Sequence, residues 1–426
     1  MKFDQYKSYK KTNISLFREV PLAWNVVALQ YVARLKSGLS ITALDFDEEA
    51  KYPVYGGNGF RGFIDKFTHE GTYVLIGRQG ALCGNINIAK EKFFATEHAL
   101  VVTPTKKLST SWLAFTLTAM ELNQYSVSAA QPGLSAEVLA RLKIALPSIE
   151  EQQKIADFLD FKTAQIDALI AKKEALLLKL QEKRSALITQ SVTKGINPNA
   201  PMKPSGVEWL GNVPAHWKVI PIKFALDMPI TDGPHSTPEF FDDGIPFLSA
   251  ESVKNDLLDF NKKRGFISLE DHVLFSKKYK PQRGDVYMVK SGATTGNVAR
   301  VTTDVEFNIW SPLAVLRPHK TKSITDFIFY ILKSKAFFYS VELSWSFGTQ
   351  QNIGMGVISN IRIALPPVSE QIEICKYITP KIAYLELQKQ KIENAIAKLQ
   401  EYRHALITSA VTGKIDVRNF DINIKA

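Results

Sequence analysis

A chain of 426 residues is too long for one ordinary hydrophobic core and suggests two to four domains. Its 45% hydrophobic content excludes a disordered chain and a membrane protein alike, and two cysteines far apart, Cys83 and Cys375, offer neither a disulfide framework nor a zinc spacing. A formal net charge of +11 favours an anionic partner, provided the cations fall on loops able to present them.

Residues 1 to 19 carry Lys2, Lys7, Lys10, Lys11 and Arg18, but Asp4, Tyr6, Tyr9 and Asn13 interrupt any apolar core of a signal peptide. Asn25, Gln30 and Arg34 break the run from Val20 to Leu35, so nothing there spans a bilayer, and a reducing cytoplasm is the expected home. Within that run, Val20-Pro-Leu-Ala-Trp24-Asn-Val26 has a near copy in Val213-Pro-Ala-His-Trp217-Lys-Val219, 193 residues on (217 − 24). Each copy opens a body rich in strands and turns.

In the first body, Tyr52-Pro-Val-Tyr55-Gly-Gly-Asn58-Gly59-Phe-Arg61-Gly62-Phe63 alternates large apolar groups with glycine, and Asn58-Gly59 signals a tight turn between strands. The strand Tyr73–Ile76 then runs into Gly77-Arg78-Gln79-Gly80-Ala81-Leu82-Cys83-Gly84-Asn85. The second body answers with Asp285–Val289 and Lys290-Ser291-Gly292-Ala293-Thr294-Thr295-Gly296-Asn297. Both loops read Gly-Ala-x-x-Gly-Asn. Neither has the lysine and hydroxyl ending of a phosphate loop nor the spacing of a dinucleotide loop, so turn-forming glycine explains the motif. What glycine leaves unexplained is the tip: Arg78, Gln79, Lys290 and Ser291 are expected to project from it.

Another strand follows in each body, His98–Val102 and Leu313–Leu316, then short helices near Trp112 to Leu122 and Asp326 to Tyr339. A last loop carries glutamine, Gln131-Pro-Gly and Gln350-Gln-Asn. Only the second body has Asp232-Gly-Pro-His235-Ser-Thr-Pro238 and the basic run Lys262-Lys263-Arg264, so the two share a scaffold and differ in loops.

Each body ends in Ile-Ala-Leu-Pro and a long helical run. Positions subtract to one value, 219 (365 − 146, 374 − 155, 403 − 184, 411 − 192), so the copies align without a gap over about fifty residues. Ile155, Leu159, Ile166, Leu169, Leu176, Leu180 and Leu187 line one narrow apolar stripe, and Lys172, Lys173, Glu174, Lys179, Glu182, Lys183 and Arg184 occupy the other faces. The second run keeps the stripe at Ile374, Ile378, Leu385, Ala395, Leu399 and Leu406, with Gln388 the exception. A helix from Glu150 to Lys194 would run roughly 65 Å at 1.5 Å per residue, and two such rods with matching seams most simply pair with each other. Pro147 and Pro366-Pro367 mark where they begin. Between the first rod and the second tryptophan motif, Pro198, Pro201, Pro204, Gly195 and Gly206 make a connector rather than a domain.

No residue set forms a credible catalytic site. Asn197-Pro198-Asn199 is not the Asn/Asp-Pro-Pro-aromatic loop of an adenine methyltransferase, there is no Walker loop, and the seven histidines show no metal-binding spacing. Asp45, Asp47 and Glu49-Ala-Lys51 superficially match the acids of a metal-dependent nuclease, a pattern short enough to arise by chance. His98 reads as a packed or surface residue and His235 as a turn residue.

Taken together, Tyr52-Pro-Val-Tyr55-Gly-Gly-Asn-Gly59, the Gly80 and Gly292 loops, Gln131-Pro-Gly133, Leu146-Pro147 and Leu365-Pro366 followed by Glu151-Gln152 and Glu370-Gln371, and Gly206-Val-Glu-Trp209-Leu-Gly211 resemble the specificity subunits of type I restriction-modification systems over nearly the whole chain. The resemblance implies an α+β fold: two mixed α/β target recognition domains separated by two long antiparallel helices forming a coiled coil, with a pseudo-twofold internal repeat. The corresponding boundaries are 1–146 and 213–365 for the recognition domains, 147–195 and 366–415 for the helices, 196–212 for the linker and 416–426 for the tail. It further implies a non-catalytic chain that reads a split double-stranded DNA sequence and docks two modification subunits and the restriction subunits, with S-adenosylmethionine, ATP and Mg held by those partners. Residues 1–19 are longer than the family needs. With rods acting as a ruler, half-sites would lie near one helical turn apart. Candidate DNA contacts are Arg61, Lys66, Arg78, Gln79, Gln131, His235, Arg264, Lys290, Ser291, Thr294, Thr295 and Gln350, with Arg78 or Lys290 suited to guanine and Gln79, Gln131 or Gln350 to adenine. A standalone nuclease and a protein-binding scaffold are the competing readings.

Overall fold

The structure, a computed structural model, describes residues 3–80, 82–126, 133–343 and 352–421. It divides into two compact units, Met1–Glu174 with Glu393–Ala426, and Ala175–Ile392. Gln131 and Gln350 lie outside the described residues.

Both rods form. The first helix is Ile149–Lys194 and the second Val368–Val411. In the first unit, Ile155, Leu159 and Ile166 of the first helix share a buried core with Leu406, Ile407 and Ala410 of the second, and Arg403 forks onto Asp167 at 2.8 and 3.1 Å. In the second unit, Ile188 and Val192 share a core with Ile374, Ile378 and Ile382, and Arg184 meets Glu386 at 2.9 Å. The arginine-carboxylate pair is the same pair twice, since 403 − 184 and 386 − 167 both give 219. Within each unit the early part of one helix therefore lies against the late part of the other, the antiparallel sense.

The phase of the seam departs from the expected stripe. Leu169 and Leu176 are 43% and 46% exposed, and the half-buried positions are Ile170 and Leu177, one residue further on. An α-helix repeats nearer 3.6 than 3.5, so a stripe continued at heptad spacing drifts off the contact line by about 20° per heptad. Leu180, Leu187 and Leu399 are half-buried, and Ile374, Ile378, Leu385 and Leu406 are buried as expected. Pro380 sits inside the second helix and deprives the Lys376 carbonyl of its helical donor. The helix continues through it, flanked by buried Ile378 and Ile382 and by a 3.0 Å bond between Tyr330 and Thr379.

Each helix start is tied to its body by one buried glutamine. Gln152 accepts from the Ser109 amide at 3.0 Å and donates to the Pro147 carbonyl at 3.1 Å. Gln371 accepts from the Ile324 amide at 3.1 Å and donates to the Lys322 and Pro366 carbonyls at 2.8 and 2.9 Å. A buried amide that satisfies backbone groups on both sides cannot be removed without orphaning them. The Glu-Gln pair following each proline thus has a structural explanation for its second member.

The expected connector and the N-terminal extension turn out to be copies of each other. Tyr9–Lys11 pairs antiparallel with Glu19–Pro21, and Met202–Pro204 with Asn212–Pro214, both shifted by 193 (202 − 9, 212 − 19). The first hairpin is fastened by Tyr6, whose hydroxyl donates to Glu151 at 2.7 Å; burial, reinforced by that carboxylate, keeps the phenol protonated. Proline and glycine obscured the second hairpin, which carries Val207 and Leu210 into the core. The tail also packs: Val417 is buried and the Phe420 ring meets Phe158 edge-on at 4.8 Å.

The bodies share a strand plan. The first has a four-stranded antiparallel sheet in the order Ala33–Ser37, Ala99–Pro104, Tyr73–Gly77, Ile86–Ala89. The second repeats it as Thr231–Asp232, Leu313–Leu316, Val286–Val289, Val298–Arg300, extended by two short strands. A smaller sheet with one parallel pair accompanies each, Tyr52–Gly56 with Lys92–Ala95 and Ile245–Leu248 with Asn308–Ile309.

Each long helix runs out against a tryptophan motif through a glycine in the left-handed region. Gly195 (φ 74°) faces the Trp217 ring, where a Cβ would lie at 3.3 Å, and Gly413 (φ 73°) faces Pro21, where a Cβ would lie at 2.4 Å. Gly195→Ala is expected to cost about 1 kcal/mol from backbone conformation. Gly413→Ala should cost a further 1–3 kcal/mol or so from the collision. Urea unfolding of the two variants checks this; equal losses would mean that the proline contact is not kept in solution.

Candidate nucleic-acid interface

The two glycine loops agree bond for bond. Gly84 donates to the Gly77 carbonyl at 2.8 Å and Gly296 to Val289 at 2.8 Å; Cys83 donates to Gly80 at 3.0 Å and Thr295 to Gly292 at 3.1 Å; Asn85 donates to Leu82 at 3.1 Å and Asn297 to Thr294 at 3.0 Å. Gly80 and Gly292 sit at φ 88° and 99° with open space around them, so a close turn rather than close packing demands glycine there. A later segment of the chain closes over each tip: Leu134 donates to the Arg78 carbonyl at 2.8 Å and Ile353 to Lys290 at 2.7 Å.

Beside each loop ends the first strand of the sheet, at a glycine the sequence alone did not single out. A Cβ on Gly38 would stand 2.0 Å from the Ala95 carbonyl oxygen, and one on Gly233 would stand 1.8 Å from that of Ile309. The chain then crosses in the same way, Glu97 donating to Leu39 at 3.1 Å and Ser311 to Pro234 at 3.2 Å. Ser37-Gly38 is therefore the counterpart of Asp232-Gly233, 195 residues apart (232 − 37).

This juxtaposition decides where the tip cations go. Arg78 is half-buried and donates through Nη1 to Ser37 Oγ at 2.9 Å. Lys290, expected to project, is instead buried, with Nζ 3.4 Å from Asp232 Oδ2. Asp232 is fully buried and gathers two further groups, Lys278 Nζ at 2.6 Å and His235 Nε2 at 3.2 Å, both largely open to solvent on their outer sides. Burial pushes the Asp232 carboxyl up, but the Lys278 hydrogen bond and the charges of Lys278, Lys290 and His235 outweigh it and hold the group below the usual carboxylate range. Lys278 went unnoticed in the sequence because it lies 46 residues from its partner.

The remaining candidates distribute as follows. Gln79 is exposed and its backbone bridges Gly133, while Ser291 is half-buried and bridges Asn352. Thr294 is exposed; the Thr295 hydroxyl donates to the Gly292 carbonyl at 2.7 Å. Arg61 is exposed over the Phe46 ring at 5.9 Å and Lys66 over Phe94 at 5.7 Å, flanking one small core, while Arg264 lies over Trp310 at 4.6 Å and donates to Glu251 at 3.2 Å. In the first unit the Asn58-Gly59 turn joins the loop: Asn85 donates to Asn58 Oδ1 at 3.1 Å, and a Cβ on Gly77 would stand 2.1 Å from the Gly57 carbonyl. The acids of the nuclease pattern serve local turns, Asp45 accepting from the Thr42 amide and hydroxyl at 2.8 Å each and Asp47 from the Glu49 amide at 3.0 Å.

Comparison with known proteins places these features in a family. The model of the type I restriction modification DNA specificity domain matches residues 21–179 and again 234–398. The specificity subunit of the type I restriction enzyme EcoprrI of Escherichia coli is 42% identical over 164 residues, 38% of this chain and 41% of that protein's length. The MjaVIII specificity subunit of Methanocaldococcus jannaschii is 24% identical over 437 residues, 97% of this chain and 98% of that one. A solved structure described as the basis of complex assembly and conformational transition of the type I R-M system shares the fold, with a TM-score of 0.66, 16% identity, and coverage of 92% of this chain and 98% of that one.

The Asp232 cluster has a pH signature. A carboxyl depressed in the folded state contributes stability that is present above its unfolded value and is lost as pH falls through the folded one. Wild type should therefore melt above Asp232→Asn at neutral pH and converge with it in strong acid, followed by thermal denaturation across a pH series. A gap that stays constant on acidification would show that the cations do not hold Asp232 ionised.

Proposed function

The chain belongs to the type I restriction-modification DNA specificity family, which makes it a specificity chain without catalysis of its own, and on that premise we propose that it reads a two-part DNA target. Its recognition bodies, residues 1–146 and 213–365, each take one half of a split duplex sequence. The long helices carry the docking sites for two modification subunits and, in the full complex, the restriction subunits. S-adenosylmethionine, ATP and Mg belong to those partners, and this chain contributes the choice of site.

The observation that supports this reading is the paired loop: two backbone scaffolds agreeing hydrogen bond for hydrogen bond, tipped with Arg78-Gln79 in one and Lys290-Ser291 in the other. A conserved frame with exchanged side chains is what two readers of different base sequences require, since phosphate contacts position the protein and base-edge contacts specify. Arg61, Lys66 and Arg264, held over aromatic rings at the surface, suit the phosphate role.

The test is methylation of a randomised duplex library by the chain assembled with its modification subunits. Methylated adenines should fall in one motif of two base blocks with a constant gap. Binding should weaken linearly on a logarithmic salt scale, with a slope of about −0.9 per phosphate contact. Cleavage of DNA by the purified chain with magnesium alone would overturn this in favour of a nuclease, and an assembled complex with no duplex preference would favour a protein scaffold.

A further inference from the structure

We propose that the residue just before the close-packed glycine sets which group each unit offers to the bases: Ser37 leaves Arg78 as the reader of the first unit, whereas Asp232 turns Lys290 into a buried strut and makes His235 and Lys278 the readers of the second. This rests on the reading of the two units as base-recognition bodies.

Geometry carries the argument. Ser37 and Asp232 occupy the same place, at the end of the first strand and before a glycine whose Cβ would meet a carbonyl oxygen at 2.0 or 1.8 Å, so their side chains are fixed against the loop cation. A serine hydroxyl accepts one bond from Arg78 without neutralising it, and among the described residues no carboxylate pairs with the guanidinium, whose other donors suit the bidentate pair that guanine O6 and N7 accept. A carboxylate acts differently. Asp232 is wholly buried, and Lys290 beside it is 8% exposed, so the lysine's charge is consumed in holding the carboxylate.

The outward groups of the second unit are the other two partners of that carboxylate. Lys278 is pinned by Asp232 Oδ1 at 2.6 Å and by the Gly233 carbonyl at 3.2 Å, which fixes a side chain that would otherwise lose rotamer freedom on meeting DNA. His235 turns Nε2 to Asp232 Oδ2 at 3.2 Å with its side chain 72% exposed. With Nε2 turned to the carboxylate, Nδ1 is the ring nitrogen left for the bases, and it accepts in the neutral Nε2–H form of the ring. In the major groove an acceptor pairs with the amino group of adenine or cytosine, where Lys290 would have sought guanine. Asp232 is thus a positioning residue and His235 a specificity-determining one.

The assembled methyltransferase complex and a randomised duplex library give the test. His235→Ala should relax one base position of one block by roughly 5- to 150-fold and leave the other block unchanged. Ser37→Asp should relax a guanine position in the other block by a similar factor. Lys290→Met should lower the melting temperature without moving any base preference. Asp232→Asn should alter the same block as His235→Ala, and because His235 is exposed its variant keeps the test valid even if Asp232→Asn fails to fold. A base preference that follows Lys290→Met while His235→Ala changes nothing overturns the inference and leaves two-part recognition standing. A wild-type complex with no two-block motif removes the premise itself.

Discussion

Each recognition body depends on a place where backbone meets backbone with no room for a side chain. At Gly38 and Gly233 the first strand passes so close to a neighbouring carbonyl that a methyl group would overlap it. That approach sets the preceding residue against the loop cation, Ser37 as a hydrogen-bond acceptor for Arg78 and Asp232 as an ion-pair partner for Lys290. Without it the sheet would still form, because its ladder runs through Ala33–Ser37 with Ala99–Pro104 and through Thr231–Asp232 with Leu313–Leu316. What would be lost is the registration of the loop, and with it the fixed direction of Arg78 or of the Asp232 cluster.

The same economy appears at the helix ends. A single glutamine fastens each start, and a single left-handed glycine lets each end meet a proline and a tryptophan of the opening motif. Between those ends the arginine-carboxylate pair recurs with one difference. Arg403 has only Asp167 among its described ion-pair partners, whereas Arg184 also reaches Asp256 at 2.7 Å, a carboxylate on the turn between two short strands of the second body that Lys333 shares. The second body is thereby tied to the helix it follows by an extra charged contact. Such a half-buried tie is worth more in fixing geometry than in net stability, because desolvation offsets much of the attraction.

Much of this was legible in the sequence because duplication is legible. A constant shift of 219 marks both rods, and Gly-Ala-x-x-Gly-Asn marks both loops. The failures have physical causes. A heptad template put Leu169 and Leu176 in the seam, where the true period of the helix turns them outward. Proline and glycine between the bodies suggested a connector, although proline at a strand edge costs no ladder bond, and Pro21, Pro204 and Pro214 all sit in two-stranded hairpins. Lys290 looked exposed because a loop tip usually is. Its burial depends on Asp232, which is 58 residues away (290 − 232) and invisible to any local pattern.

The divergence between the bodies is localised too. The shift between copies grows from 193 at the tryptophan motif to 219 at the rods, so the second body has 26 extra residues (219 − 193); it is 195 at the strand-end glycine (233 − 38) and 212 at the loop glycine (292 − 80), so 17 of them lie between those points (212 − 195). That segment contains the helix Leu269–Ser276, and Lys278 follows directly after it. In the first body the corresponding stretch supplies the Asn58 turn, which leans on the loop through Asn85 instead. The frame that must be shared is therefore made of main-chain bonds and glycines, while the groups that differ enter on an insertion and on one side chain before a glycine. A change of recognised sequence then requires no change in the helices or the sheet ladder, since the ladder is made of main-chain bonds and the groups that distinguish one body from the other are side chains.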